Sequence, residues 1–231
     1  MVPLFRAILA GGSLRDRVVA SAGGLAGIVI TAAVSFLLLK DMAPLPMIVA
    51  PMGASAVLVF AVPASPLAQP WPVIGGNIIS ALVGITVGRL VPDVALAAGV
   101  AVGAAILIMS LLRCLHPPGG AAALTAVVGG PAVVSAGYLF ALVPVGINAV
   151  LLTLAGLLFH RFSHHSYPHR APSLPQQTDR VSDPHPEDID RALADLGETF
   201  DISPEDLALL VARVSHHARI RSGQGRRRGA R

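Results

Sequence analysis

Long apolar runs broken by short polar or proline-rich intervals fill residues 18–160, and most polar positions lie beyond them. Six apolar segments can be drawn: 18–39, 46–62, 73–91, 94–112, 118–128 and 133–159. The first is long enough, at 1.5 Å per residue, to cross a hydrocarbon core of roughly 30 Å. The second is broken near its start by Pro51-Met52-Gly53, and the fifth is too short to span straight. The sixth is long and contains Pro144. After Phe159 the pattern changes. Residues 161–182 are rich in His, Pro, Ser and Gln and read as a linker. Two amphipathic helices follow within 183–219. Ile189, Leu193 and Leu196 share one face of the first, and Leu207, Leu210, Val211 and Val214 form the stripe of the second. Ser203, Pro204 and Asp206 make a helix start. Residues 220–231, rich in Gly and Arg, read as a basic disordered end. The expected class is all-α: a polytopic helical membrane bundle of about six segments, 18–160, after an N-terminal stretch, 1–17, and before a short cytoplasmic helical tail.

Composition supports this reading and narrows it. The chain is 54% hydrophobic and 13% charged, against about a quarter charged in soluble domains. Between Val18 and His160 the only charged side chains are Lys40, Asp41, Arg89, Asp93 and Arg113. Ten of the 13 acidic residues lie in the tail with most of the basic ones, so the net charge of +4 is not a nucleic-acid-binding face. Arg226-Arg227-Arg228 are placed to touch anionic lipid headgroups. Arg6, Arg15, Arg17, Arg113, Arg161 and Arg170 fall on one side if there are six crossings, which the positive-inside rule makes cytoplasmic for both termini. The first apolar run is flanked by arginines and is too long for a secretory signal, so it reads as a retained span. The single cysteine, Cys114, excludes an internal disulfide.

An internal repeat is visible between the halves. Ala50-Pro51-Met52-Gly53-Ala54-Ser55-Ala56 resembles Pro117-Pro118-Gly119-Gly120-Ala121-Ala122-Ala123, and Gly75-Gly76-Asn77 resembles Gly146-Ile147-Asn148. Three segments per half would invert the second half relative to the first, as in many secondary transporters.

Chemistry concentrates at Arg113-Cys114-Leu115-His116-Pro117-Pro118-Gly119-Gly120. Polar groups and irregular backbone at membrane depth are costly and mark functional sites by default. Helices starting after Pro51 and after Pro117-Pro118 would aim free N–H groups and a positive dipole end back toward the breaks, a setting suited to an anion. The candidate binding residues are Arg113, His116, the backbone at Gly53, Gly119 and Gly120, and the neutral polar side chains Ser55, Asn77, Thr125 and Asn148. Pro51, Pro117 and Pro118 would fix the breaks. Without carboxylates inside the apolar region, a cation or proton-relay site built on acidic groups is disfavoured. The structural alternative stays open: such breaks also let helices approach closely, the asparagines can serve helix pairing alone, and Arg113 can snorkel to an interface. Cys114 and His116 lie two apart and do not face each other on a helix, which argues against a hydrolase. His160, His164, His165 and His169 lack the Cys or carboxylate partners of a good metal cage. Trp71 reads as an interface anchor.

Leu115-His116-Pro117-Pro118-Gly119-Gly120-Ala121 resembles the signature of the HPP family of integral membrane proteins. Further blocks look familial: Pro51-Met52-Gly53-Ala54-Ser55-Ala56-Val57-Leu58, Ser65-Pro66-Leu67-Ala68-Gln69-Pro70 and Gly75-Gly76-Asn77. The resemblance covers about residues 15–160. It implies a transmembrane domain and, because plant plastid and cyanobacterial members are associated with nitrite transport, a small-anion cargo. Residues 183–219 resemble the connector that leads into paired CBS domains in many bacterial members. The sequence stops at Arg231 without them, so adenine-nucleotide control is expected to be missing or supplied by another chain. The expectation is a transporter or channel for a small anion, nitrite the best named guess, in a bacterial inner membrane. It is not expected to be an enzyme and needs no cofactor or metal. Its partners would be the anion, the bilayer and either further copies of itself or a protein met through the tail. The alternative is a membrane-embedded sensor or anchor whose cytoplasmic helices bind a partner.

Overall fold

The computed structural model describes residues 13–40, 45–163, 165–170, 186–196, 202 and 204–228, all helix or irregular chain. The helices are α1 (Leu14–Leu39), α2 (Pro51–Ala61), α3 (Pro70–Leu90), α4 (Val94–Leu111), α5 (Pro117–Val128), α6 (Gly130–Ala136), α7 (Ile147–His160), α8 (Pro186–Leu196) and α9 (Pro204–Arg228). The fold is the expected helical membrane bundle. Proline opens α2, α3 and α5, where its missing N–H costs nothing and its fixed φ suits the first turn. Asp93 caps α4 by accepting from the Leu96 N–H at 2.8 Å.

Among the described residues, four elements are long and apolar enough to cross a membrane, α1, α3, α4 and the stretch 141–160 that ends in α7, and the bent pair α5 and α6 together would make a fifth. The second and fifth of the six expected segments form the short helices that their breaks and length implied. α2 has 11 residues and α5 has 12, or roughly 17 Å each at 1.5 Å per residue. The expected sixth segment is also divided. The chain bends by 96° between α5 and α6, Gly137 takes a positive φ of 54°, and Pro144 lies in a wide turn, Ala141–Gly146, with non-helical Val143. Proline has no N–H to give to a helix, and the glycine φ lies where other residues are strained.

Side-chain contacts fix the chain directions. Gly23 packs on Phe159 and Gly27 on Leu152, while Ser35 meets Asn148, so α1 and α7 are antiparallel. Phe60, late in α2, reaches Gly23 and Gly27, and Val49 before α2 meets Asn148, so α2 also runs against α1. His116 lies on Gly76, Ala123 on Gly84 and Val127 on Gly88, so α5 runs along α3. Trp71 donates to the Leu112 carbonyl across the α3/α4 pair. The Tyr167 hydroxyl donates to the Ala68 carbonyl, placing the end of α7 beside the start of α3. Direction therefore alternates through α1, α2, α3, α4, α5 and α7, and the second half is inverted on the first. Exchanging α1 with α4, α2 with α5 and α3 with α7 maps the packing pairs onto themselves. Arg15, Arg17, Arg113 and Arg161 lie at one end of the bundle, with Lys40 and Arg89 at the other.

Residues 14–170 form one compact unit, a little longer than the expected 18–160. The extension arises because 165–170 dock on the chain before α3. The Tyr167 hydroxyl holds Ala68, and the His169 N–H donates to Gln69 Oε1 at 2.8 Å. Burial keeps the Tyr167 phenol above its ordinary pKa, so it remains a donor. The linker 161–182 beyond 170 lies outside the described residues. In the other unit, α8 and α9 enclose an apolar groove lined by Ile189, Leu193, Leu196, Leu207 and Val211. The α9 backbone is helical through Arg228.

Candidate functional site

The two short helices meet at a buried, uncharged polar cluster. His116, Ser55 and Asn77 have no exposed surface. His116 precedes Pro117 in extended conformation, as a residue before proline prefers, and this carries its ring away from the α5 axis. Ser55 Oγ and His116 Nε2 are 2.8 Å apart. On the ring's other side, Nδ1 lies 2.8 Å from the Leu67 carbonyl in the short turn Pro66–Ala68. Asn77 on α3 completes the chain, donating from Nδ2 to Ser55 Oγ at 3.3 Å and to the Val73 carbonyl at 2.8 Å. Asn77 Oδ1 and Ser80 Oγ, one turn apart on α3, are buried without partners.

Close backbone approach makes room for this. A Cβ on Gly76 would meet His116 Cβ and the Cys114 carbonyl, and one on Gly119 would meet Ser80 Oγ and the Gly76 carbonyl. Pro118 and Gly119 are buried, and Gly120 partly so. The glycines therefore bring the start of α5 against α3, with Ser80 facing it.

The other expected site residues lie elsewhere. Arg113 is exposed and has a positive φ of 55°. Gly53 is exposed and lines an outward groove between α1 and α2 with Ala20, Gly24 and Ile28. Thr125 donates to its own helix at the Ala121 carbonyl. Asn148 belongs to a separate buried cluster at the start of α2. There Oδ1 accepts from the Val49 N–H at 2.9 Å, and Nδ2 donates to Ser35 Oγ at 2.8 Å and to the Met47 carbonyl at 3.0 Å. Pro51 is buried at that same point.

Of the expected free backbone donors, those of Met52, Gly53 and Gly119 are spent. Pro117 and Pro118 carry no N–H, and the Gly119 N–H donates to the His116 carbonyl at 2.8 Å. At α2 the Met52 and Gly53 N–H groups donate to Val49 and Ala50. Leu67 and Ser80 were not anticipated. Leu67 contributes only a backbone carbonyl. Ser80 carried one signal, its i+3 spacing from Asn77, which places both on one helix face. Among the described residues no group of three His, Cys, Asp or Glu side chains is disposed to hold a metal.

The profile described as the HPP transmembrane region matches residues 10–168. Two proteins of Dictyostelium discoideum, each named as a transmembrane protein, are similar to the chain. One is 36% identical over 131 residues, covering 54% of this chain and 46% of that protein. The other is 37% identical over 115 residues, covering 48% and 37%. The chain thus spans less than half the length of these relatives. No solved structure matches it significantly.

Proposed function

This chain belongs to the HPP transmembrane-region family, and from that premise we propose that it carries a small anion across a membrane, nitrite being the leading candidate. The buried chain from the Leu67 carbonyl through His116 and Ser55 to Asn77 carries this reading. A polar cluster at membrane depth is costly unless it serves a path or a ligand. Asp93 is the only carboxylate residue within 45–163, and it caps α4 at the far end, so nothing acidic invites a cation. Arg15, Arg17, Arg113 and Arg161 would raise the local anion concentration at one mouth. A bacterial inner membrane with that basic end cytoplasmic fits the positive-inside rule. The protein would act without enzymatic chemistry or cofactor, alone or as an oligomer.

The test is nitrite uptake into proteoliposomes. Wild type should take up nitrite saturably. Ser55→Ala and His116→Ala should each cut the initial rate by about tenfold or more, the effect of losing about 1.4 kcal/mol of binding. Arg113→Gln should lower uptake modestly and make it less sensitive to salt. Uptake no faster than in empty vesicles, with the protein folded, would overturn the reading. A second reading, a membrane sensor or anchor, is favoured by the apolar groove between α8 and α9, which is a surface suited to a protein segment.

A further inference from the structure

Hydrogen-bond chemistry gives the buried cluster a direction. The Leu67 carbonyl only accepts, so the 2.8 Å contact places a proton on His116 Nδ1. In a neutral ring Nε2 then only accepts, and Ser55 must donate its one hydroxyl proton across 2.8 Å. The Val73 carbonyl also only accepts, which fixes the Asn77 amide with Nδ2 on that side. Its second N–H goes to Ser55 Oγ. All donors of His116, Ser55 and Asn77 are therefore committed. The remaining capacity is Asn77 Oδ1, an acceptor, and the Ser80 hydroxyl, both buried and unpartnered. An anion needs donors, and the neutral cluster offers it one at most, from Ser80.

Resting on the reading above, we propose that His116 binds a proton together with the anion, so that the protein is a proton–anion cotransporter. A proton from the aqueous side forms an N–H bond at His116 Nε2, and no other covalent bond breaks. Nε2 then donates to Ser55 Oγ, which already accepts from Asn77. The serine proton is released from its contact with the ring and turns to a third direction. The cluster now presents an imidazolium charge, the Ser55 O–H and the Ser80 O–H. A buried imidazolium without a counter-charge is costly, and the anion supplies that charge. Each ligand thus raises the affinity for the other by the same factor. Discharge at the other face returns the proton to water with the anion and restores the neutral wiring.

No other charged group nearby substitutes for the anion. The connection before α5 brings Arg113, exposed, and Cys114, buried. α3 brings Arg89 and α4 its cap Asp93, both at the far end. α2 and the turn Pro66–Ala68 bring none. Further off, Tyr167 in the docked segment reaches the Ala68 carbonyl, the His169 N–H reaches Gln69 Oε1, and His160 on α7 reaches the Val59 carbonyl and packs its ring on His165.

The experiment uses the full chain in vesicles, with nitrite as probe and the voltage clamped by valinomycin and equal potassium. With the exterior about two pH units more acid, coupling one proton to each anion drives nitrite toward about 100-fold accumulation. The initial rate of that accumulation should exceed the leak of nitrous acid into empty vesicles, and the lumen should acidify with nitrite entry. His116→Gln should lose the pH-driven accumulation. Nitrite that only equilibrates, or that follows an imposed voltage and ignores the pH difference, overturns the coupling while leaving anion transport standing. Continued accumulation in His116→Gln overturns it equally. No uptake beyond empty vesicles overturns transport and coupling together. If His116→Gln fails to fold, the wild-type ratio of protons to nitrite decides.

Discussion

At the scale of single residues, Asn77 and Asn148 occupy matching places in the two halves but do different work. Asn148 spends both amide ends on the chain entering α2 and on Ser35. Asn77 leaves its oxygen unused. Asn148→Ala should therefore cost about 1–3 kcal/mol of stability, the usual effect of orphaning buried polar groups, read as a lowered unfolding midpoint in detergent. Ser80→Ala removes a hydroxyl without a partner, so its midpoint should hold or rise, while its KM for nitrite uptake should increase several-fold. A fall in stability with unchanged KM would make Ser80 purely structural. The motif around His116 was legible because charge, proline and glycine interrupt hydrocarbon. Its partner at Leu67 was not, because any residue can supply a carbonyl. Arg113 is conspicuous in sequence, and the structure leaves it exposed, with a positive φ of 55°.

At the scale of helices, small residues set how closely α5 approaches α3. A Cβ on Gly84 would strike the Ala123 carbonyl and the Ala126 side chain, whereas Gly99 and Gly103 on α4 have nothing within 4 Å. Gly84→Ala should destabilise by about 1–3 kcal/mol, as overpacking does. Gly99→Ala should leave the melting temperature within about a degree or raise it, since alanine favours helix. Differential scanning fluorimetry in detergent compares them directly. Periodicity revealed the long helices well because each carries a full hydrophobic span. It overestimated the second and sixth segments. Apolar residues continue through Pro46–Ala50 and across Gly137 and Pro144, and hydropathy does not register a backbone that leaves the helix there.

For the whole molecule, the compact unit 14–170 predicts that removing residues 171–231 leaves most nitrite uptake intact. If deletion abolishes uptake while the bundle remains folded, the tail belongs to the transport machinery. The inverted halves were legible from two short blocks, Pro51 to Ala56 and Gly75 to Asn77, because proline starts and buried asparagines recur where the packing recurs. The docking of 165–170 was not, since a His- and Pro-rich composition reads as linker until tertiary contacts are known. That docking gives the chain leaving the bundle a short mechanical arm. It grips Ala68 and Gln69, immediately beside the carbonyl that decides which nitrogen of His116 carries the proton. Loosening those two grips would free the backbone next to the Leu67 carbonyl, so a change in the docked segment bears on His116. Tyr167→Phe, which slackens this arm, should shift the pH profile of uptake more than its maximal rate.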